Sequence, residues 1–246
     1  MLEVAAAAGA AVSPVLLIAD LGRPDRFYNM LRVFKPSSPM SVGSWVLAGY
    51  APAAIATVLL DQLGWLPPVR WLPTVRATAR LAAAALGPVL ATYTAVLLAD
   101  TAIPVWHEAR RELPVVFAGG ALASAGAAGV LGLAPAAARP ARRAVLIGAA
   151  FELGAVGFME HQLGALASPY KAGRAGRFAA AARWSTASGA ALIATFGRTR
   201  RLAAVTGAMA VLAGAVCERW AVFDAGTQSA GDPGATAGPQ RARLTD

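Results

Sequence analysis

The sequence is poor in charge, in histidine and in cysteine. Of its 246 residues only 14% are charged, against about 25% in soluble globular domains. So few charges, 22 basic and 13 acidic, cannot solvate the surface of a globule of this size. That sets aside a soluble enzyme and a disordered chain. The single cysteine, Cys217, excludes a disulfide framework, a cysteine-ligated iron–sulfur cluster and a cysteine-type zinc site. Two histidines, His107 and His161, exclude a pair of bis-histidine haems, and a single one would need both. No metal site is expected. What the chain does have is apolar: 57% of residues are hydrophobic and the mean hydropathy is +0.54. Its net charge of +9 is scattered through loops, which suits anionic lipid better than nucleic acid.

These proportions predict an all-α, polytopic transmembrane helical bundle. A spanning helix needs about 20 mostly apolar residues. Seven segments approach this: 1–19, 42–62, 80–103, 114–134, 144–163, 178–197 and 202–223. The sixth carries Arg183, which is expected to snorkel to the interface. Small residues dominate the spans, as close packing in lipid requires. Pro14, Pro52 and Pro88 fall inside them. Residues 1–12 lack a basic n-region, so no cleavable signal peptide is expected. The bundle is predicted over 1–223, with a disordered Gly/Pro-rich tail over 224–246.

Loops 63–79, 135–143 and 198–201 carry arginine and no acid. They are assigned to the cytoplasm. Loops 20–41, 104–113, 164–177 and the tail mix bases with acids, and are assigned to the outer face. On that orientation Asp20, Asp100, Glu160, His161, Glu218 and Arg219 gather near the outer surface. Glu152 falls mid-membrane and Asp61 near the inner face. Ionisable groups at such depths are expensive and usually mark a site.

Residues 20–45 read DLGRPDRFYNMLRVFKPSSPMSVGSW. This stretch resembles the signature of the NrfD/PsrC family, the integral membrane subunits of polysulfide-reductase-like and nitrite-reductase-like complexes. A block over 93–120 is similar to the family's Y-x-x-x-L-L, P-x-W and P-x-x-F pattern. A third, over 219–233, is similar to its closing R-x-x-x-x-x-A-G and D-P. The family usually has eight spans, with the D-L-G-R-P motif after the second. Here the motif follows the first, as though the first helix were lacking.

The resemblance implies a quinone-binding membrane subunit of an oxidoreductase, with no haem or metal and not active alone. It would hold menaquinone or another quinone near the outer face of the plasma membrane. Electrons would pass to or from a docked ferredoxin-like iron–sulfur subunit, and through it a molybdopterin or other catalytic subunit, as in anaerobic respiration. Proton conduction is a further possibility. The alternatives are a non-redox membrane anchor and a proton or solute transporter, although no inverted repeat is evident.

Within that frame the candidate quinone-site and proton-exchange residues are Asp20, Arg23, Arg26, Tyr93, Asp100, His107 and Glu108. A carboxylate or imidazole can take a proton from a quinol hydroxyl, while guanidinium groups stabilise the developing anion. The bland alternatives are a capped turn at 20–26, an interhelical hydrogen bond at Tyr93 and an interfacial Trp106–His107 anchor. Glu152, Glu160 and His161 are candidate proton-relay groups, with hydrogen-bonding glue as the alternative. Adjacent helix positions point about 100° apart, so Glu160 and His161 cannot both face one cavity. Glu218 and Arg219 read as an interfacial pair. Lys171, Arg174 and Arg177 are candidates for docking an acidic partner, or for contacting lipid phosphate.

Overall fold

The structure, a computed structural model, describes residues 2–20, 22–62 and 70–234. Among these the chain is all-α, with no strand. Each predicted span is a helix. They are α1 (Leu2–Asp20), the short α2 (Phe27–Arg32), α3 (Pro39–Gln62), α4 (Leu72–Ala99), the short α5 (Pro104–Glu108), α6 (Leu113–Gly132), α7 (Arg139–Leu163), the short α8 (Ser168–Lys171), α9 (Gly173–Phe196) and α10 (Arg201–Ala230).

Among the described residues five helices are long and apolar enough to cross a bilayer: α3, α4, α6, α7 with its continuation to Lys171, and α10. A sixth is added if the bent pair Glu3–Ala19 and Pro24–Arg32 is one broken span. The chain is therefore an integral, multi-pass membrane protein, with five or six such helices among the described residues where about seven were expected. Unless joined to α2, α1 falls short, and so does α9. Between Phe178 and Phe196 it carries Arg183 together with Ser185, Thr186, Ser188 and Thr195, which dilute its apolar character.

The chain forms two compact units, Met1–Thr94 and Ala95–Asp246. In the first, α1 packs on α3 around Ala10, Leu47, Ala51 and Ala54. Gly43 lies so close to the ring of Tyr93 that a side chain there would have to displace the ring. Asp61, at the end of α3, pairs with Arg76 at 3.1 Å and Arg80 at 2.8 Å, and Arg80 lies 3.5 Å from Glu3. Arg76 also donates to the carbonyl of Leu60 at 2.6 Å, satisfying a helix end that has no intrahelical partner. Because α4 begins at Leu72, Arg76 is helical rather than part of the loop expected over 63–79.

In the second unit α6 and α7 run antiparallel in close contact, as do α9 and α10. The first pair touch through Gly119, Ala123 and Gly126 on α6 against Glu152, Gly148 and Val145 on α7. In the other pair Gly189 meets Gly207 and Thr186 meets Gly214. Without a hydrophobic drive between helices in lipid, such backbone approach supplies the packing energy. α10 also packs on α6, and α9 on α7. Two apolar cores result. One surrounds Val105, Leu113, Met159, Tyr170 and Val222; the other surrounds Ala123, Val130, Val145, Ile193 and Val211.

Arg201 closes the α6 end of this unit. Its Nη1 donates to Val130 at 2.7 Å and its Nη2 to Leu131 at 2.7 Å. Charged donors on terminal carbonyls complement the helix dipole, and bonds of this type contribute about 1.5–3 kcal/mol. Arg201→Ala is expected to lower the thermal midpoint of the detergent-solubilised protein by several degrees, with exposed Arg198→Ala as the neutral control. Equal midpoints for both would remove Arg201 from its capping role.

α10 extends to Ala230, so 224–230 is helix rather than tail. Asp224 ion-pairs with Arg174 at 3.0 Å, and Ala225 and Ser229 are buried. Residues 235–246, the rest of the predicted tail, lie outside the described residues.

Candidate functional site

Between the two apolar cores of the second unit lies a cluster of ionisable side chains. α7 places Glu152 inward, on the stripe that also holds Val145, Gly148, Ala149 and Met159. These spacings of three and four residues are one helix face. Glu152 is 3% exposed. α10 contributes Glu218, 5% exposed, and Arg219, which bonds it at 2.9 Å. The Arg219 guanidinium lies 3.5 Å from the centre of the Phe117 ring on α6, a cation–π contact. Gly120 leaves the space into which the Glu152 carboxyl and the Arg219 guanidinium both reach.

About two turns further along α7, Glu160 accepts from Arg183 on α9, at 3.0 Å to Oε1 and 2.9 Å to Oε2. Arg183 therefore turns to a carboxylate instead of snorkelling. Glu218 is likewise buried within the protein. A cavity of about 20 Å³ lies among Glu152, Glu160, Tyr170, Arg183 and Glu218, with Met159, Ala182 and Val222 in its walls.

A second feature is an open groove of about 610 Å³ along the other face of α7. Phe151, Gly154, Ala155 and Phe158 form its apolar floor, with Val115 of α6 beside them. Arg111, Glu112 and Gln162 stand at one end, because the start of α6 neighbours the end of α7. At 1.5 Å per residue the floor runs roughly 18 Å from Ala150 to Gln162.

The predicted quinone-site residues fall in both units. Asp20 ends α1, while Arg23 and Arg26 are exposed on the turn before α2. Tyr93 is half-buried against Gly43. Asp100, just past α4, is exposed. His107 and Glu108 end α5 half-buried, with Arg110 4.0 Å from Glu108. The preceding Trp106 is buried, not an interfacial anchor. Its ring lies on Gly226 and its Nε1–H donates to Val222 at 2.8 Å.

Of the predicted relay, Glu152 and Glu160 share the small cavity and His161 points away, exposed. Lys171, Arg174 and Arg177 are exposed at the α8–α9 junction. Arg174 is held by Asp224, and its guanidinium lies 5.7 Å from the centre of the Phe178 ring. Among the described residues no group of three or more His, Cys, Asp or Glu could hold a metal ion.

The sequence model of the family described as polysulphide reductase, NrfD, matches residues 2–167. The chain belongs to the NrfD family. No curated protein and no solved structure matches it. The NrfD match contains the 20–45 signature, the 93–120 block, the α6–α7 groove, Glu152 and Glu160. It stops before Tyr170, Arg183, Glu218 and the 219–233 block. NrfD proteins are membrane subunits of oxidoreductase complexes, so this chain is a subunit that sits in the bilayer and works with partners.

Proposed function

We propose that this chain is the quinone-handling membrane subunit of an oxidoreductase complex in the plasma membrane, exchanging electrons with an iron–sulfur subunit at the outer face. Membership of the NrfD family is the observation that carries the reading. The α6–α7 groove suits a quinone: an apolar, lipid-width channel for an isoprenoid tail, ending in groups for a ring. Arg111 and Gln162 offer donors to a ring carbonyl, and Glu112 an acceptor for a hydroxyl. Phe151 and Phe158 would flank the tail and keep water from it. A bound quinol supplies two electrons and two protons on oxidation.

His107 and Glu108 precede the polar end of the groove by a few residues in sequence, and Asp20 stands at the head of the family signature. These groups would take up the protons. Lys171 and Arg177 provide positive charge that an acidic iron–sulfur partner would meet, favouring fast association at low salt.

Menaquinol-dependent electron transfer through the assembled complex tests this. Asp20→Asn combined with His107→Ala is expected to cut turnover at least tenfold, about 1.4 kcal/mol of barrier, while assembly is retained. Intact turnover would remove both residues from the site. Gly154→Trp fills the groove and is expected to raise the apparent KM for quinol several-fold. An unchanged KM would mean the tail lies elsewhere.

A further inference from the structure

Three carboxyl groups and the Arg183 guanidinium line the small cavity of the second unit, and the Arg219 guanidinium joins the cluster through Glu218. Arg183 answers Glu160 and Arg219 answers Glu218. Glu152 makes no ion pair among the described residues. Were all three carboxyls ionised, the cluster would hold one negative charge too many between two apolar cores, and uncompensated charge there is costly. One proton removes the excess.

Three side chains lining the cavity also carry buried oxygens with no hydrogen-bond partner: Oε2 of Glu152, Oε1 of Glu218 and the Tyr170 hydroxyl, Tyr170 being 2% exposed. Buried polar atoms are rarely left unpaired, and an unplaced water is a common explanation. One water needs about 10–15 Å³ and two to four polar partners. The cavity, at about 20 Å³, has room for one.

We propose that this cavity is a binding site for a single water molecule, through which Glu152 and Glu218 share one proton, with the Tyr170 hydroxyl as third partner. When the proton is on Glu152, its O–H donates to the water and the water donates to Oε1 of Glu218. Transfer through the water breaks the Glu152 O–H bond and forms one on Glu218. The charged and titratable groups facing the exchange are Glu160 from α7, Tyr170 from α8, Arg183 from α9 and Arg219 from α10; α6 faces it with Phe117 and Gly120. His161, exposed on the far side of α7, is outside the exchange. The sequence-predicted relay of Glu152, Glu160 and His161 is thereby replaced by Glu152, water and Glu218. The junction does not depend on a bound quinone.

Infrared spectroscopy of the full-length protein in detergent, at neutral pH and without quinone, tests this. The wild type is expected to show a protonated-carboxyl C=O band that shifts down in deuterated water. Glu152→Gln should abolish the band. Glu218→Gln and Tyr170→Phe should each shift its frequency, and His161→Ala should leave it unchanged. Absence of the band in the wild type would overturn the proposal. So would a frequency insensitive to both Glu218→Gln and Tyr170→Phe, or a band that vanishes when sodium replaces potassium, which would make the cavity a cation site. Should Glu152→Gln fail to fold, the wild type and Tyr170→Phe decide the matter.

Discussion

Gly148→Leu yields no folded protein from the membrane, and Gly148→Ala lowers the thermal midpoint in detergent by several degrees. A Cβ at Gly148 would lie 2.8 Å from Cα of Ala123 and 2.8 Å from the carbonyl oxygen of Gly119, with the amide nitrogen of Ala123 nearer still. These are backbone atoms of α6, and they cannot move aside as a flexible side chain can. Over-packing by a single carbon costs about 1–3 kcal/mol in a tight core; a leucine pushes the two helices apart. The loss then spreads, since separating α6 from α7 also opens the contacts of Gly119 with Glu152 and of Gly126 with Val145. The control is on the same helix. A Cβ at Gly157 meets nothing within 4 Å, so Gly157→Ala should hold or slightly raise the midpoint through helix propensity. If Gly148→Ala and Gly157→Ala behave alike, the α6–α7 contact is not as close as described.

That contact shows why the helices were legible in the sequence and their pairing was not. Apolar run length located every long helix, because a bilayer imposes a minimum length and leaves backbone groups no other partner. Glycine and alanine occur on all faces of these helices, so composition alone could not distinguish Gly148, pressed on a neighbour, from Gly157, open on one side. At α9 charge and hydroxyl content falls between that of a spanning helix and that of a packed one, so apolar run length alone does not mark it as a span as clearly as it marks the others. Loop arginines were read as a topology signal, yet Arg76 and Arg201 hold the carbonyl ends of α3 and α6. A helix end needs such donors on either side of a membrane.

The site was legible in part for a similar reason. Glu152 stood out because a carboxyl in the middle of an apolar run has few harmless explanations. Its partners did not, since they come from α8, α9 and α10, and their convergence is a property of packing. Arg183 was expected to snorkel, although its neighbours held a hint of its true direction. It is the only charge between Phe178 and Phe196, and it lies beside Ala179, Ala182 and Thr186, the small buried face of α9. That company points inward. Tyr170 had no signal at all; it sits in a short helix whose burial depends on α9 and α10.

Arg183→Met destabilises the protein strongly, and Glu160→Gln added to it restores most of the loss. The Glu160 side chain is 12% exposed and both of its oxygens take bonds from the same guanidinium nitrogen. Removing one partner from a buried ion pair typically costs about 3–5 kcal/mol, because the remaining charge is stranded. Arg183 keeps 39% of its side chain exposed, which moves the expected cost toward the lower end. Methionine fills much of the same volume with an unbranched chain, so the loss measured is electrostatic rather than a void. In the double variant no charge is stranded, and a glutamine amide beside a thioether is tolerated in a wall that already holds Met159. The coupling read from the thermal midpoints of the two single variants and the double should therefore be large, with the double well above Arg183→Met alone. Additive midpoints would mean that the two side chains do not meet. Glu160 would then join Glu152 as a second unmatched carboxyl, and a single proton could no longer neutralise the cluster.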